Sequence, residues 1–270
     1  MRDITFGQFY PGDSFLHKMD PRAKLVLSLV YIVTVFLCQT FYSYLAVLCF
    51  LAFVIMLSRV PAKSVLRSVK GILFLVLITV VINILFYREG TVLFKLWIII
   101  ITQEGLIFSA KMAMRLLFLV IGTTLVTLTT TPMHLTDGME SLMSPLKLIK
   151  FPVHDVAIIM SIALRFIPSL MEEIDKIMLA QKARGAAFDN GGLVARAKAL
   201  LPVLIPLFVS AFRRADELAM ALDARCYNAT PNRTKMKALK FGYRDALAAV
   251  FCAAFMTGII LMKVYLGGMV

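Results

Sequence analysis

The sequence predicts an all-α polytopic membrane protein, with about five transmembrane helices and a cytoplasmic-side domain of long amphipathic helices. Three observations carry this expectation. Of 270 residues, 60% are hydrophobic and only 17% are charged, whereas soluble domains hold about 45–50% apolar and about 25% charged residues. Runs without charge recur at lengths that suit a bilayer crossing. From Pro132 onward the character changes, and charges return every few positions between apolar residues at helical spacing. The expected division is therefore 1–131 as N-terminal transmembrane helices (about four crossings), 132–243 as an amphipathic domain and 244–270 as a C-terminal transmembrane helix.

The elements follow in order. Leu25 to Ser58 is a 34-residue stretch without a formal charge, too long for one ordinary crossing at about 1.5 Å per residue. It reads as a helical hairpin that turns at Gln39-Thr40-Phe41-Tyr42-Ser43-Tyr44, with the tyrosines at the membrane interface. Gly71 to Tyr87 is the next crossing and ends at Arg88-Glu89-Gly90. Residues 91–101 are apolar but too short to cross alone, so an interfacial or re-entrant piece is expected. Gly105 to Leu128 crosses back, with Lys111 and Arg115 facing protein, water or headgroups. Thr127 to Thr131 and Pro132 then stop the helix, the threonine hydroxyls bonding back to helix carbonyls. Ala246 to Met262 is the final apolar run.

Charge orients these segments. The first 24 residues carry four basic residues, the loop with Arg59, Lys63, Arg67 and Lys70 has no acid, and residues 141–244 hold sixteen Lys or Arg against eight Asp or Glu. By the positive-inside rule all three face the cytoplasm, which puts the C-terminus outside after an odd number of crossings. The net charge of +13 is spread between apolar runs and forms no basic module, so nucleic acid is not an expected partner. Charged residues interrupt positions 1–22, so the first membrane helix is expected to act as its own address.

Several chemistries lack their residues. Cys38, Cys49, Cys226 and Cys252 are scattered and read as small hydrophobes, and His17, His134 and His154 have no ligand spacing, so no metal site is expected. No Gly-x-x-x-x-Gly-Lys-Ser/Thr stretch occurs, and no Lys directly follows a Gly, which argues against ATP binding through a P-loop in this chain. Glu172-Glu173 offers a paired carboxylate with His134 or His154 at hand. Adjacent helical residues point about 100° apart, however, and pairing to Lys176 explains both acids.

Within the amphipathic region, Asp155 is expected to cap a helix with apolar residues at Ile159, Ile162, Phe166, Leu170 and Ile174, kinked at Pro168 and ending at Arg184-Gly185. Asp189-Asn190-Gly191-Gly192 forms a loop. A second amphipathic stretch begins near Leu193, is punctuated by Pro202 and Pro206 and ends at Arg225. The two helix ends align without gaps at an offset of 41 residues, Ala183-Arg184-Gly185 over Ala224-Arg225-Cys226. A cation at a helix C-terminus gains roughly 0.3–1 kcal/mol from the macrodipole, which explains one Arg. It does not explain the repeated frame. A guanidinium projecting from a rigid helix end suits bidentate docking on a carboxylate or backbone carbonyls of another subunit.

The chain resembles the transmembrane T component of energy-coupling factor (ECF) transporters, a CbiQ-like family, over nearly its whole length. The residues that carry the resemblance begin with His17-Lys18-Met19-Asp20-Pro21-Arg22-Ala23-Lys24, Glu104-Gly105-Leu106 followed by Arg115, and Thr130-Thr131-Pro132. They continue with Arg165-Phe166-Ile167-Pro168, Glu172, Ala180-Gln181-Lys182-Ala183-Arg184-Gly185 and Ala219-Met220-Ala221 leading to Ala224-Arg225-Cys226. The resemblance implies a non-catalytic energy-coupling subunit of an ABC-type importer for a vitamin or metal ion in a prokaryotic cell membrane. Its implied partners are two ATPase subunits, which would bind the ATP and Mg, and one small substrate-binding membrane subunit; no cofactor is implied in this chain. It also implies that Ala183, Arg184, Gly185, Ala224, Arg225 and Cys226 dock the ATPases, and Pro168, Pro202 and Pro206 suit hinges in that movement. The family usually has Gly where Cys226 stands. Either the backbone there stays right-handed, or the Gly serves close approach, which the small Cys still permits. Two rival readings are a self-contained channel or secondary transporter, for which two similar membrane halves would be expected, and an intramembrane enzyme using Glu172, Glu173 and His154.

Overall fold

The computed structural model describes residues 9–87, 91–96, 99–186, 188, 192–227 and 239–266. The described residues form the helices α1 (Pro21–Leu37), α2 (Phe41–Ser58), α3 (Ala62–Phe86), α4 (Gln103–Thr129), α5 (Pro132–Leu142), α6 (Val153–Ala183), α7 (Leu193–Ala224) and α8 (Tyr243–Leu266). A 3-10 turn covers Ser144–Ile149. The architecture is all-α apart from one small antiparallel hairpin of β1 (Val92–Leu96) and β2 (Ile99–Thr102), which pairs Val92 with Thr102 and Leu96 with Ile99. That hairpin occupies the short apolar stretch read as interfacial or re-entrant. The Arg88-Glu89-Gly90 turn and positions 189–191 of the expected loop lie outside the described residues.

Among the described residues, five helices are long and apolar enough to cross a membrane: α2, α3, α4, α6 and α8. The count agrees with the sequence reading; by length and composition alone α6 qualifies and the shorter α1 does not. α1 has 17 residues, about 25 Å at the helical rise against a hydrocarbon core of about 30 Å. α6 qualifies because its first half is nearly uncharged, although its second half carries Glu172, Glu173, Asp175 and Lys176.

The chain divides into two compact units, Met1–His154 with Leu239–Val270, and Asp155–Ala238. In the first, α4 packs against α1, α2 and α3, while α1 also meets α5 and α8. The core joins Tyr31 and Val35 of α1, Val47 and Leu51 of α2, Phe118 and Leu125 of α4, and Ile259 of α8. Phe50 stacks on Phe255 with ring centroids 4.2 Å apart, which ties α2 to α8. Leu73, Phe74, Leu75 and Leu77 of α3 are exposed on successive faces, as lipid contact requires.

The turn of the first hairpin is shorter than the sequence suggested. α1 ends at Leu37 and α2 begins at Phe41, so Tyr44 is buried in the core instead of lying at the interface. Its hydroxyl donates to the Cys38 carbonyl at 3.2 Å, and Arg115 donates to the same carbonyl at 3.0 Å. The carbonyls at a helix C-terminus have no intrahelical partner, and in hydrocarbon they must find donors within the protein. Arg115 also lies over the Phe36 ring at 5.8 Å, so this intramembrane cation faces protein. The Thr-rich end of α4 behaves as expected, with Thr127 donating to Thr123 O and Thr129 to Leu125 O.

Two motifs far apart in sequence meet at the other end of this unit. The side chain of Asp20 caps α1 by accepting from the Arg22 N–H at 2.9 Å, with Pro21 supplying a first helical residue that needs no donor. Lys24 Nζ donates to the Thr129 carbonyl and to Thr130 Oγ1, both at 2.9 Å. Thr131 caps α5, a helix the sequence reading did not foresee, by accepting from the His134 N–H. Asp245 of α8 accepts from the backbone N–H groups of Asp20 and Gly242, each at 2.8 Å. This buried network fastens the starts of α1 and α8 to the end of α4.

Candidate functional site

The second unit is built on α6 and α7. Both are amphipathic, and both run through their prolines, Pro168 in α6 and Pro202 and Pro206 in α7, as continuous helices. α6 begins at Val153, which puts Asp155 in its first turn and not at the cap. A carboxylate there still suits the positive end of the macrodipole.

Two sets of contacts join the helices. Arg214 of α7 donates to Glu173 of α6 at 2.6 Å and also to Ser169. Gln181 Nε2 donates to the Pro202 carbonyl at 3.4 Å. That carbonyl would ordinarily accept from the N–H of residue 206, but Pro206 has none. Gln181, part of the first repeated motif, thus supplies a donor that the proline pair removed. Moving forward along α6 from Glu173 to Gln181 means moving backward along α7 from Arg214 to Pro202, so the helices cross antiparallel.

Antiparallel crossing sends the two C-termini apart. Arg184 lies three residues beyond Gln181, close to the level of Pro202, whereas Arg225 lies 23 residues along α7 from Pro202. At 1.5 Å per residue this is a separation of roughly 34 Å along the α7 axis. The Glu173–Arg214 pair itself joins positions at the repeat offset of 41 residues, so the two helices meet through equivalent sites of the repeat. Glu173 is therefore engaged across the helix pair and not with Lys176, while Glu172 is exposed. His154 is bound elsewhere, its Nδ1 lying 3.1 Å from Glu140. These positions give Glu173 and His154 structural partners.

Both helices end in the same backbone device. At the end of α6, the Gly185 N–H donates to Lys182 O and the Ala186 N–H to Gln181 O, both at 3.0 Å. At the end of α7, the Cys226 N–H donates to Asp223 O and the Tyr227 N–H to Leu222 O, both at 2.9 Å. This pair of bonds is the Schellman motif, which needs a left-handed residue just past the cap. Gly185 supplies it at φ 88° and Cys226 at φ 52°. The alternative in which the Cys226 backbone stays right-handed is thereby overturned. The two cap bonds hold a non-glycine residue in a conformation that costs roughly 1–2 kcal/mol.

The geometry assigns each motif residue a place. Ala183 and Ala224 are the last helical residues, Arg184 and Arg225 occupy the two caps, and Gly185 and Cys226 reverse the chain. All six are exposed. Neither guanidinium has a hydrogen-bond or ion-pair partner among the described residues. The site therefore presents two unengaged cations on rigid ends, each beside small residues that leave room for a partner surface. What sequence reasoning missed is the cross-helix bonding of Glu173, Arg214 and Gln181; the repeat offset was the signal that could have revealed the first pair.

Replacing Cys226 with Gly is expected to stabilise the end of α7 by about 1 kcal/mol, because the left-handed penalty disappears. Hydrogen exchange at the Cys226 and Tyr227 amides reads this as slower exchange by roughly fivefold, the factor equivalent to 1 kcal/mol. Equal or faster exchange in the variant would contradict a strained cap.

The chain matches the model of the CbiQ family, described as cobalt transport protein, over residues 12–236. Among curated proteins it is similar to the energy-coupling factor transporter transmembrane protein EcfT of Ruminiclostridium cellulolyticum, 50% identical over 263 residues, which cover 97% of this chain and 98% of the relative. The protein of the same name from Clostridium kluyveri is 49% identical over 269 residues, 99% of either chain. That of Bacillus subtilis is 43% identical over 250 residues, 93% of this chain and 94% of the relative.

Proposed function

Because this chain belongs to the CbiQ family, we propose that it is the energy-coupling transmembrane subunit of an ECF-type ABC importer. It carries no catalytic residue in this reading. Two ATPase subunits bind ATP and Mg and hydrolyse the nucleotide, and a small membrane subunit binds the vitamin or metal ion. The names of the relatives support the transporter assignment. The single observation that carries the coupling role is the matched pair of exposed arginine caps at diverging ends of one crossed helix pair.

In this mechanism ATP binding draws the two ATPases together and shifts Arg184 relative to Arg225. A rigid helix end transmits displacement with little loss, since the Schellman bonds hold each Arg backbone to the preceding turn. The crossing, held by Arg214 with Glu173 and by Gln181 with Pro202, converts opposed end movements into a change of angle between α6 and α7. Pro168, Pro202 and Pro206 are the hinges, because proline weakens the helical ladder where it stands. On α7, Ile205, Phe208 and Phe212 form an exposed apolar stripe that suits the hydrophobic substrate-binding subunit. In the proposed topology the N-terminus and the amphipathic domain are cytoplasmic and the C-terminus lies outside, as the distribution of Lys and Arg favours.

Purifying the tagged chain from its own membranes and identifying what accompanies it tests this function. Two ATPase polypeptides and a small hydrophobic protein are expected in stoichiometric amounts. A chain that purifies alone and moves solute by itself in vesicles would sink the reading in favour of a self-contained transporter.

A further inference from the structure

A partly open cavity of about 360 Å³ lies in the first unit, among four of its helices. Its walls come from residues 24–31 of α1, 50–57 of α2, 122–129 of α4 and 247–252 of α8, together with Phe15, Leu16 and Met19 from the segment before α1. α1 and α8 start at one end of this unit, and α2 and α4 finish there. Every helical lining residue lies within ten positions of that end. Ten residues span about 15 Å, half of a hydrocarbon core of about 30 Å. The cavity therefore sits at the depth of one leaflet.

Its surface is hydrocarbon. Three of the polar residues that line it spend their hydroxyl protons inside the protein: Ser28 on Leu25 O, Tyr31 on Phe118 O and Thr129 on Leu125 O, each at 2.8 Å. The pocket is open on the side where Phe53, Leu57, Leu247 and Phe251 are exposed, and walls of this kind offer water few partners while they suit an apolar chain entering from outside. The exception to this polarity is Lys24, which lines the cavity and is itself buried. An ammonium has three donors. Two of them go to Thr129 O and Thr130 Oγ1, and the third has no partner among the described residues. Lys24 stands in the first turn of α1, which the proposed topology puts at the cytoplasmic surface, the level of the ester and phosphate oxygens of a lipid. The complementary ligand has a long apolar chain and an oxygen-rich head at that level.

We propose that this cavity binds one acyl chain of a phospholipid from the leaflet at that end, with Lys24 donating to the ester or phosphate oxygens. The bound lipid fills the space between α8 and the helices α1, α2 and α4, and so restores dispersion contacts that an empty cavity would forfeit. It is a structural lipid of the membrane unit and is distinct from the solute that the transporter moves.

The test uses the full chain with the subunits that copurify, reconstituted in vesicles of phosphatidylethanolamine and phosphatidylglycerol. A small fraction of the phosphatidylglycerol carries a diazirine at the middle of one acyl chain. After irradiation, mass spectrometry maps the adducts. Adducts are expected on Val54, Leu125 and Cys252, which line the cavity and are not exposed on the outer surface. Ala248→Phe places a ring in the cavity and should lower these adducts at least tenfold, whereas Ala249→Phe, at an exposed neighbour that does not line it, should leave them unchanged. Adducts confined to outward residues such as Val250 and Leu261 would overturn the proposal. So would cavity adducts that survive Ala248→Phe, or that form with a diazirine fatty acid but not with the phospholipid. The wild-type adduct map decides the question even if the Phe variant fails to assemble.

Discussion

Charge reversal at Arg184 or at Arg225 is expected to release the ATPases, with at least a tenfold fall in copurified ATPase and in ATP-driven uptake for either variant. Truncating one partner of a docked charge pair costs about 2–5 kcal/mol, much of it from the group left unpaired on the other side. A reversal adds repulsion to that loss. Arg→Lys should fall between wild type and reversal, because Lys keeps the charge but lacks the planar fork. Arg213→Glu makes the same change in net charge at an exposed position on α7 and serves as the control. Both quantities unchanged in the two reversals would remove the docking assignment. Loss at only one site would show that the two ends carry unequal shares of the coupling.

Asp245→Ala is expected to destabilise the membrane unit by about 3 kcal/mol. The carboxylate is buried and accepts two backbone N–H bonds, from Asp20 and Gly242. The Asp20 N–H is left buried without an acceptor, which costs about 1–3 kcal/mol, and the more exposed Gly242 N–H loses a weaker bond. Thermal unfolding of the detergent-solubilised chain should show a lower midpoint, and the loss should appear equally with and without the other subunits. A midpoint unchanged from wild type would mean that the network is dispensable to the fold. The contrast with the arginine reversals is diagnostic, since those should leave the midpoint of the isolated chain unaltered.

The membrane character, the order of segments and the two repeated ends were legible because each rests on local information. A charge-free run of bilayer length needs only composition, and Gly185 announces the end of α6 because glycine alone takes left-handed backbone without penalty. Cys226 carries no such announcement. Its left-handed backbone became visible only with the bonds from Cys226 and Tyr227 back to Asp223 and Leu222. The helix α5 was missed because Pro132 reads both as a stop for α4 and as a favoured first residue, and Thr131 decides between them by capping the new helix.

An all-α membrane chain whose amphipathic region closes twice on the same arginine frame can be read from local pattern. Hydropathy and helical period depend on neighbours along the chain, so they survive without any knowledge of packing. The tertiary structure alone decided which residues separated along the chain are joined. Lys24 meets Thr130, Asp245 meets Asp20, and Gln181 reaches the Pro202 carbonyl that Pro206 leaves without its donor. It also decided that α6 and α7 cross antiparallel, which turns two adjacent motifs into two well-separated ends. Such pairings answer to buried polar groups that must be satisfied, and the partner that satisfies each one is chosen by the fold.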